Sequence, residues 1–528
     1  MTATSSKTAP SRTARVLVPA TVFSLLILVW MLATLGEPAE RIIPSPPETF
    51  RALVNDIGVL PRNVSATVYN AAVGFVAGNT AAILFALMFV QVPLTEKVLF
   101  RVTAVTACVP LVVITPILVI LFQGDTAKQA LAAIAVFFPT LSACFVGLRS
   151  GSATSEDVVR SMGGGSSRVL LKVRLWSMLP HLFTALQIAA PAALVGAILA
   201  EWLGSTHGLG VLLLQAQSSY EIPRTWSIAF VMAAVSGAAY LVLGIVGRRL
   251  TPWVAQEVSL HSGVKIQAPR PRGKGTAAEI GALALSVLVI LALWWGTILL
   301  FSLDPYFAKT PLDVWSHLFS GPESAERRQV ILEALGVTLT HTGVGYAVGL
   351  IAAFMLATVS SLSPVVERTI SPLAVAIRAL PLVALVPVLT LTFGRGLPGV
   401  TVIITLVTFF PAYVTIARAF ASSPVLARDL VASMGGSKIK ALISVQMPYA
   451  VPAFVSSARI VLPLALAGAT LAEWMATGNG IGNLLIRDFA TSQFGAVWSG
   501  AAVLIAVSLA AYGVLSAVET RLNRHYSL

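Results

Sequence analysis

Residues 200–210 read AEWLGSTHGLG, and 272 positions later residues 472–482 read AEWMATGNGIG. The same shift carries residues 161–214 onto 433–486 without a gap. Of these 54 positions 21 are identical, among them Gly163/Gly435, Pro180/Pro452, Pro191/Pro463 and Glu201/Glu473. It also pairs Phe137, Phe138 and Pro139 with Phe409, Phe410 and Pro411. A shift of 271 pairs Gly74 and Gly78 with Gly345 and Gly349, and Pro110 and Pro116 with Pro381 and Pro387. Apolar composition alone does not reproduce glycine and proline positions, so the chain is one unit written twice.

The unit belongs in a bilayer. Soluble domains are about 45–50% apolar and about 25% charged, whereas these 528 residues are 56% hydrophobic and 11% charged. Twelve apolar stretches are long enough to cross a hydrocarbon core of about 30 Å as helices. In the first half they fall at 16–35, 66–90, 98–122, 129–149, 181–203 and 226–247, and in the second at 280–302, 335–360, 369–393, 398–418, 449–475 and 498–518. The first follows Lys7, Arg12 and Arg15 but lacks a small-residue cleavage site, so it reads as a retained span. Six spans per half is an even number, which makes the halves parallel repeats. The expected fold is an all-α integral membrane protein of twelve transmembrane helices, two parallel six-helix repeats with a cytoplasmic loop in each. Its divisions are a cytoplasmic tail at 1–14, a first repeat at 15–255, a basic cytoplasmic linker at 256–278 containing HSGVKIQAPRPRGKGT, and a second repeat at 279–528.

The formal charge of +13 follows this arrangement. With both termini inside, 23 of the 35 Lys and Arg and 8 of the 22 acids fall on the cytoplasmic side, against 10 bases and 12 acids outside. This is the positive-inside bias. It makes the lipid bilayer the partner of these bases and argues against nucleic acid. Cys108 and Cys144 lie in spans without CxxC spacing, and the six histidines lack i, i+4 partners, so no metal site is expected.

A polar interruption of about 30 residues, longer than most loops of the chain, lies between spans four and five of each half. It reads SMGGGSSRVLLKVRLW at 161–176 and SMGGSKIKALISVQMP at 433–448. Residues 425–432 have helical character, Gly435 and Gly436 break it, and Ile439, Leu442, Ile443 and Val445 form an apolar stripe ahead of Pro448. The pattern predicts two short helices at an angle on the cytoplasmic face.

These segments resemble the E-A-A-x3-G-x9-I-x-L-P loop of permeases from binding-protein-dependent ABC importers. The second half supplies Asp429, Gly435, Val445 and Pro448, with Gly436 beside the central glycine. The first supplies Asp157, Gly163, Gly164 and Val173, with Trp176 where the family has proline. PSPPETFRAL (44–53), GFVAGNTAA (74–82), LPLVALVPVLTLTFGRG (380–396) and the two AEW segments resemble further parts of the nitrate, sulfonate, taurine and thiamine-precursor subfamily. The resemblance implies two permease units fused in one chain, in the inner membrane of a prokaryote. It also implies a cytoplasmic ATPase dimer docked on the two loops, an extracytoplasmic substrate-binding protein, and a small anionic or heterocyclic cargo. No G-x4-G-K-[ST] occurs, so ATP and Mg belong to the partner, and this chain carries no cofactor and is no enzyme.

Several charged and aromatic residues fall in spans. Glu201 and Glu473 admit three readings: caps of the glycine-rich turn that follows, linings of an outer gate, or proton-coupling groups. Trp202 and Trp474 read as interfacial anchors or gate residues. Arg378 and Arg459, opposite Ala107 and Gln187 in the other half, could meet an anion, snorkel to the interface or, for Arg459, pair with Glu473. Pro116 and Pro387 would kink span three along the pathway. The rival function is an ion-gradient carrier with two parallel halves. It would need a G-x3-D-[RK]-x-G-[RK] loop after span two, which QVPLTEKVLFR and SSLSPVVER lack. A membrane enzyme would need clustered acids and histidines, which the sequence does not offer.

Overall fold

The computed structural model describes residues 43–92, 108–122, 124–253, 276–363, 365–367, 369–370 and 381–525, with a few positions between 24 and 34. Among the described residues every regular element is helical. The first repeat runs α1 (Pro46–Asn55), α2 (Leu60–Gln91), α3 (Leu111–Leu121), α4 (Asp125–Arg149), α5 (Ala153–Ser161), α6 (Ser166–Gly204), α7 (Leu209–Ser218) and α8 (Ile222–Leu250). After α9 (Thr276–Leu300) the series recurs as α10 (Pro311–Phe319), α11 (Ser324–Leu362), α12 (Leu382–Phe393), α13 (Leu397–Ala421), α14 (Val425–Ser433), α15 (Lys438–Met475), α16 (Gly480–Ala490) and α17 (Phe494–His525).

Among the described residues eight helices are long and apolar enough to cross a membrane: α2, α4, α6, α8, α11, α13, α15 and α17. The expected spans at 16–35, 98–122 and 369–393 fall partly outside the described residues, as does the linker; α9 lies in the seventh.

Two local features differ from expectation. The second short helix of each polar loop is the first part of a span, so α6 begins at Ser166 and α15 at Lys438, each crossing a π turn, Leu170–Arg174 and Leu442–Gln446. The turn forms in both halves although only the second has Pro448, so proline does not cause it. Each fifth span is also followed by a short helix, α7 or α16, of 10 or 11 residues and too brief to be read as a span.

Small residues set the packing. A Cβ on Gly74 would overlap the Gln129 carbonyl and Ala132, and one on Gly345 would lie 2.5 Å from Ile404 Cβ. Helices α2 and α11 therefore pack backbone-close on α4 and α13, as small-xxx-small stripes allow in lipid. Helices α6 and α15 complete each three-helix core.

Ahead of the long helices, α1 and α10 carry capping boxes. Ser45 with Glu48 and Thr310 with Asp313 satisfy the first backbone N–H groups, and a proline opens each helix. Trp30 and Trp294 donate to the carbonyls of Pro44 and Lys309, at 2.9 and 3.1 Å, and stack on Trp226 and Trp498. Matching tryptophan pairs thus tie the first apolar helix of each half to its last.

The third apolar helix of each half packs on its own half and also reaches the other. Helix α3 packs on α15, α16 and α17 of the second half, and α12 packs on α6, α7 and α8 of the first. Pro110 and Pro381 cap the starts of these helices, while Pro116 and Pro387 lie buried inside them. The largest buried apolar cluster accordingly draws residues from both halves.

Candidate functional site

Trp202 and Trp474 sit near the ends of α6 and α15, and their rings meet across the two halves, 6.1 Å between centroids and nearly perpendicular. Trp202 is 7% exposed, which rules out an anchor in the headgroup layer. Val112 of α3 and Val383 and Val386 of α12 belong to the same apolar cluster. From Leu175 to Trp202 an α-helical rise gives about 40 Å, so this plug closes the end of the molecule remote from the polar loops.

Behind each tryptophan lies a carboxylate node. Glu201, 1% exposed, accepts from the Thr67 hydroxyl at 2.7 Å and the Gly210 N–H at 2.8 Å. Glu473 is fully buried. It accepts from Thr338 at 2.8 Å and the Gly482 N–H at 3.0 Å, and it also bonds His341 Nδ1 at 2.9 Å. The two threonines in turn accept from the N–H groups of Leu209 and Ile481. Each hydroxyl therefore donates to the carboxylate and accepts from a helix start, and that of Thr338 also lies 3.1 Å from the Ala334 carbonyl. A Cβ on Gly208 or Gly480 would overlap the carboxylate, so the glycine turn is shaped around the acid. This geometry matches the capping reading of Glu201 and Glu473. Thr67, Thr338, Asn63 (which accepts from the Gly208 N–H at 2.8 Å) and His341 are site residues that the sequence did not single out.

At the other end, α5 and α14 close with the same turn. Gly163 and Gly435 both have φ +76°, and the next N–H, of Gly164 or Gly436, returns to the carbonyl of Val159 or Val431 at 2.9 or 2.8 Å. This is a left-handed helix stop that favours glycine. Gly164 and Gly436 press on that valine, with no room for a Cβ. Asp157 and Asp429 are exposed on these helices, Val173 and Val445 half-buried in the π turns, and Pro448 exposed just beyond. Around them stand bare apolar side chains, Val158 and Met162 in the first element and Leu426, Leu430 and Met434 in the second. Leu426 is 85% exposed. Such patches mark a contact surface.

Residues 78–259 and again 345–524 match one protein family, the binding-protein-dependent transport system inner membrane component. The chain belongs to this family. Over 228 residues it is 28% identical to a "Probable ABC transporter permease protein" of Haemophilus influenzae, covering 43% of this chain and 93% of that one. It is 24% identical over 246 residues to the "Formylaminopyrimidine transport permease protein ThiX" of Halalkalibacterium halodurans (46% and 98% covered), and 26% identical over 244 residues to the "Taurine transport system permease protein TauC" of Escherichia coli (44% and 88% covered). Each relative is nearly spanned by less than half of this chain, as two fused units require. The protein is thus a multi-pass inner-membrane permease of an ABC importer, a transport subunit and not an enzyme.

The two polar-loop elements of the permease are braced differently. Arg174 in the first π turn forms a two-bonded ion pair with Glu156 of α5, at 2.8 and 2.9 Å. The equivalent positions carry Gln446 and Arg428. Gln446 instead accepts from Ser361 and donates to the Phe420 carbonyl. Trp176, replacing the family proline, stands edge to face with Trp253.

The hydrogen bond from Arg174 holds the Glu156 carboxyl below the usual glutamate range. A depressed carboxyl pKa gives a latch that is complete above the ordinary glutamate value and lost as pH falls through the depressed one. With the intrinsic pH dependence of amide exchange divided out, protection of residues 153–161 is therefore expected to fall on acidification through that window, while that of residues 425–433 stays unchanged. Equal responses would contradict the latch.

Arg459 is buried, pairs with Glu519 of α17 at 2.9 Å, and lies over the Tyr512 ring. Ser456 bonds the other Glu519 oxygen. The expected alternative partner Glu473 is therefore replaced by Glu519, and the arginine's charge is already matched within the permease. Arg378 lies outside the described residues.

Proposed function

We propose that this single chain supplies both halves of the pathway of an ATP-driven importer for a small anionic or heterocyclic solute. It does so with twelve spans, both termini and both docking elements in the cytoplasm, and the divisions at 15–255 and 279–528. The observation that carries the reading is the duplicated docking turn. Two helix stops with the same φ and the same return hydrogen bond present exposed apolar side chains, a pair of handles suited to a motor with two nucleotide sites. A dimeric ATPase holding ATP and Mg would grip both handles, and an extracytoplasmic binding protein would deliver solute at the opposite end. The taurine and formylaminopyrimidine named for relatives support the cargo class.

In this cycle the Trp202–Trp474 contact is the outer gate. ATPase closure moves the handles together, tilts one half against the other and parts the rings. The indole N–H of Trp202 is buried without a partner among the described residues, a donor that a passing anion would meet once the rings separate. Glu201, Glu473, Pro116 and Pro387 act as the frame of this gate: the acids fix the turns beneath the tryptophans, and the prolines shape the bridging helices beside them.

The test is a W202C/W474C chain bridged by a short bifunctional thiol reagent. Bridging is expected to block uptake in the resting complex, and ATP with binding protein should lower the bridging yield. A yield indifferent to both, with uptake intact after bridging, would remove the gate.

A further inference from the structure

Beside the first carboxylate node, at the end of the molecule remote from the docking elements, is a cavity of about 540 Å³. Its chemistry comes from Arg62, Tyr69 and Asn70 of α2, from Asp125 and Lys128 at the start of α4, and from His207 of the turn after Trp202. Lys128 is 8% exposed. A buried ammonium is costly unless it is paired, and here Asp125 takes one of its three donors at 2.7 Å. Asn70 donates to the same carboxylate at 3.3 Å and accepts from Gln129 at 3.1 Å, so the carboxylate is held from two sides. The charge of Asp125 is thereby answered within the cluster. Arg62 stands at the cavity with no partner among the described residues, and His207 Nδ1 meets the Thr206 hydroxyl at 2.6 Å. Histidine aside, the lining carries the two cations Arg62 and Lys128 and the one anion Asp125. The remaining donors of Lys128, the Arg62 guanidinium and the Tyr69 hydroxyl all belong to this lining.

The equivalent positions of the second half carry different chemistry. Where the first has Arg62, Asn70, Asp125, Lys128 and His207, the second has Glu333, His341, Leu397, Val400 and Asn479. His341 is turned to Glu473 instead. The repeat has kept the gate node on both sides and built a cationic pocket on one.

We propose that this one-sided pocket binds the oxyanion group of a small molecule: a sulfonate, carboxylate or phosphate. Planar guanidinium and ammonium donors around one acceptor suit that group. The pocket opens five residues from Trp202 along the chain, so an anion held there waits beside one leaf of the gate. Its role as a waiting place for imported solute rests on the import reading above. Its binding of an oxyanion does not, and it is measured without transport.

The experiment uses the full chain in phosphatidylcholine nanodiscs, with methanesulfonate as probe and saturation-transfer NMR as readout. Arg62→Gln is the main variant, since this exposed side chain holds nothing in the fold; D125N/K128Q removes the inner pair without leaving a lone charge. Saturable binding to the wild type, weakened about tenfold or more by either variant, is expected for a soluble anion. No probe binding, but co-purified anionic phospholipid that is lost in Arg62→Gln, would assign the same chemistry to a lipid headgroup. Neither binding nor retained lipid, or binding unchanged in both variants, overturns the proposal.

Discussion

Replacing Gly435 by leucine is expected to lower ATP-driven uptake more than tenfold while the protein still inserts and accumulates normally. The reason is local. At φ +76° an L-residue pays about 1–2 kcal/mol, yet nothing lies within 4 Å of the added Cβ, so the packed core is not disturbed. The stop between α14 and α15 would re-form with another geometry, turning Leu430 and Met434 away from the surface they now share. ATP hydrolysis by the partner should persist without uptake, the signature of a slipping handle. Gly163→Leu is expected to do less harm, because the Glu156–Arg174 pair still ties α5 to α6. Unaltered uptake in Gly435→Leu, measured as solute accumulated per ATP hydrolysed, would count against the docking role.

The second large effect concerns the carboxylate nodes, where two like residues should respond differently. Both donors from Thr338 and Gly482 converge on Oε2 of Glu473, and His341 faces Oε1. Glutamine can keep its oxygen toward the first two and offer its amide N–H to His341, whose tautomer can adapt. Glu201 instead receives Thr67 on Oε1 and Gly210 on Oε2, so one donor there would confront an NH2 group. Glu201→Gln is therefore expected to cost about 1–3 kcal/mol, the penalty of a stranded buried donor, and Glu473→Gln less than about 1 kcal/mol. Alanine at either position strands at least two donors, about 2–6 kcal/mol, a large part of a margin of about 5–15 kcal/mol. Thermal unfolding of the four variants in one detergent checks the order. Equal shifts for the two glutamines, or the larger shift at Glu473, would contradict the hydrogen-bond assignment.

Much of this architecture was legible in the sequence because glycine and proline report backbone geometry directly. Gly435 announced a helix stop, which is found in place and again at Gly163; Gly74 and Gly345 marked the repeat, and the close helix contact they allow emerges only from the structure. Side-chain partnerships across long separations were not legible. Thr67 and Thr338 lie 134 and 135 residues from their acids and look like ordinary threonines in apolar helices. Glu519, the partner of Arg459, lies just beyond the last expected span and drew no reading from the sequence. The short helices α7 and α16 escaped because 10 or 11 residues fall between the lengths of a turn and a span. Trp202 and Trp474 had the composition of an interfacial belt, and only the placement of the halves shows that they face each other. The contacts of α3 and α12 with the opposite half are likewise a property of the assembled pair, with no signal in either repeat alone.

The central claim is that one chain presents two handles to an ATPase dimer, and the most direct measurement is the composition of the complex purified through this chain in mild detergent. Native mass spectrometry is expected to find two copies of a P-loop ATPase on each copy of the permease, with uptake in proteoliposomes that requires ATP. The chain recovered alone, and transporting under an ion gradient without ATP, would contradict the account.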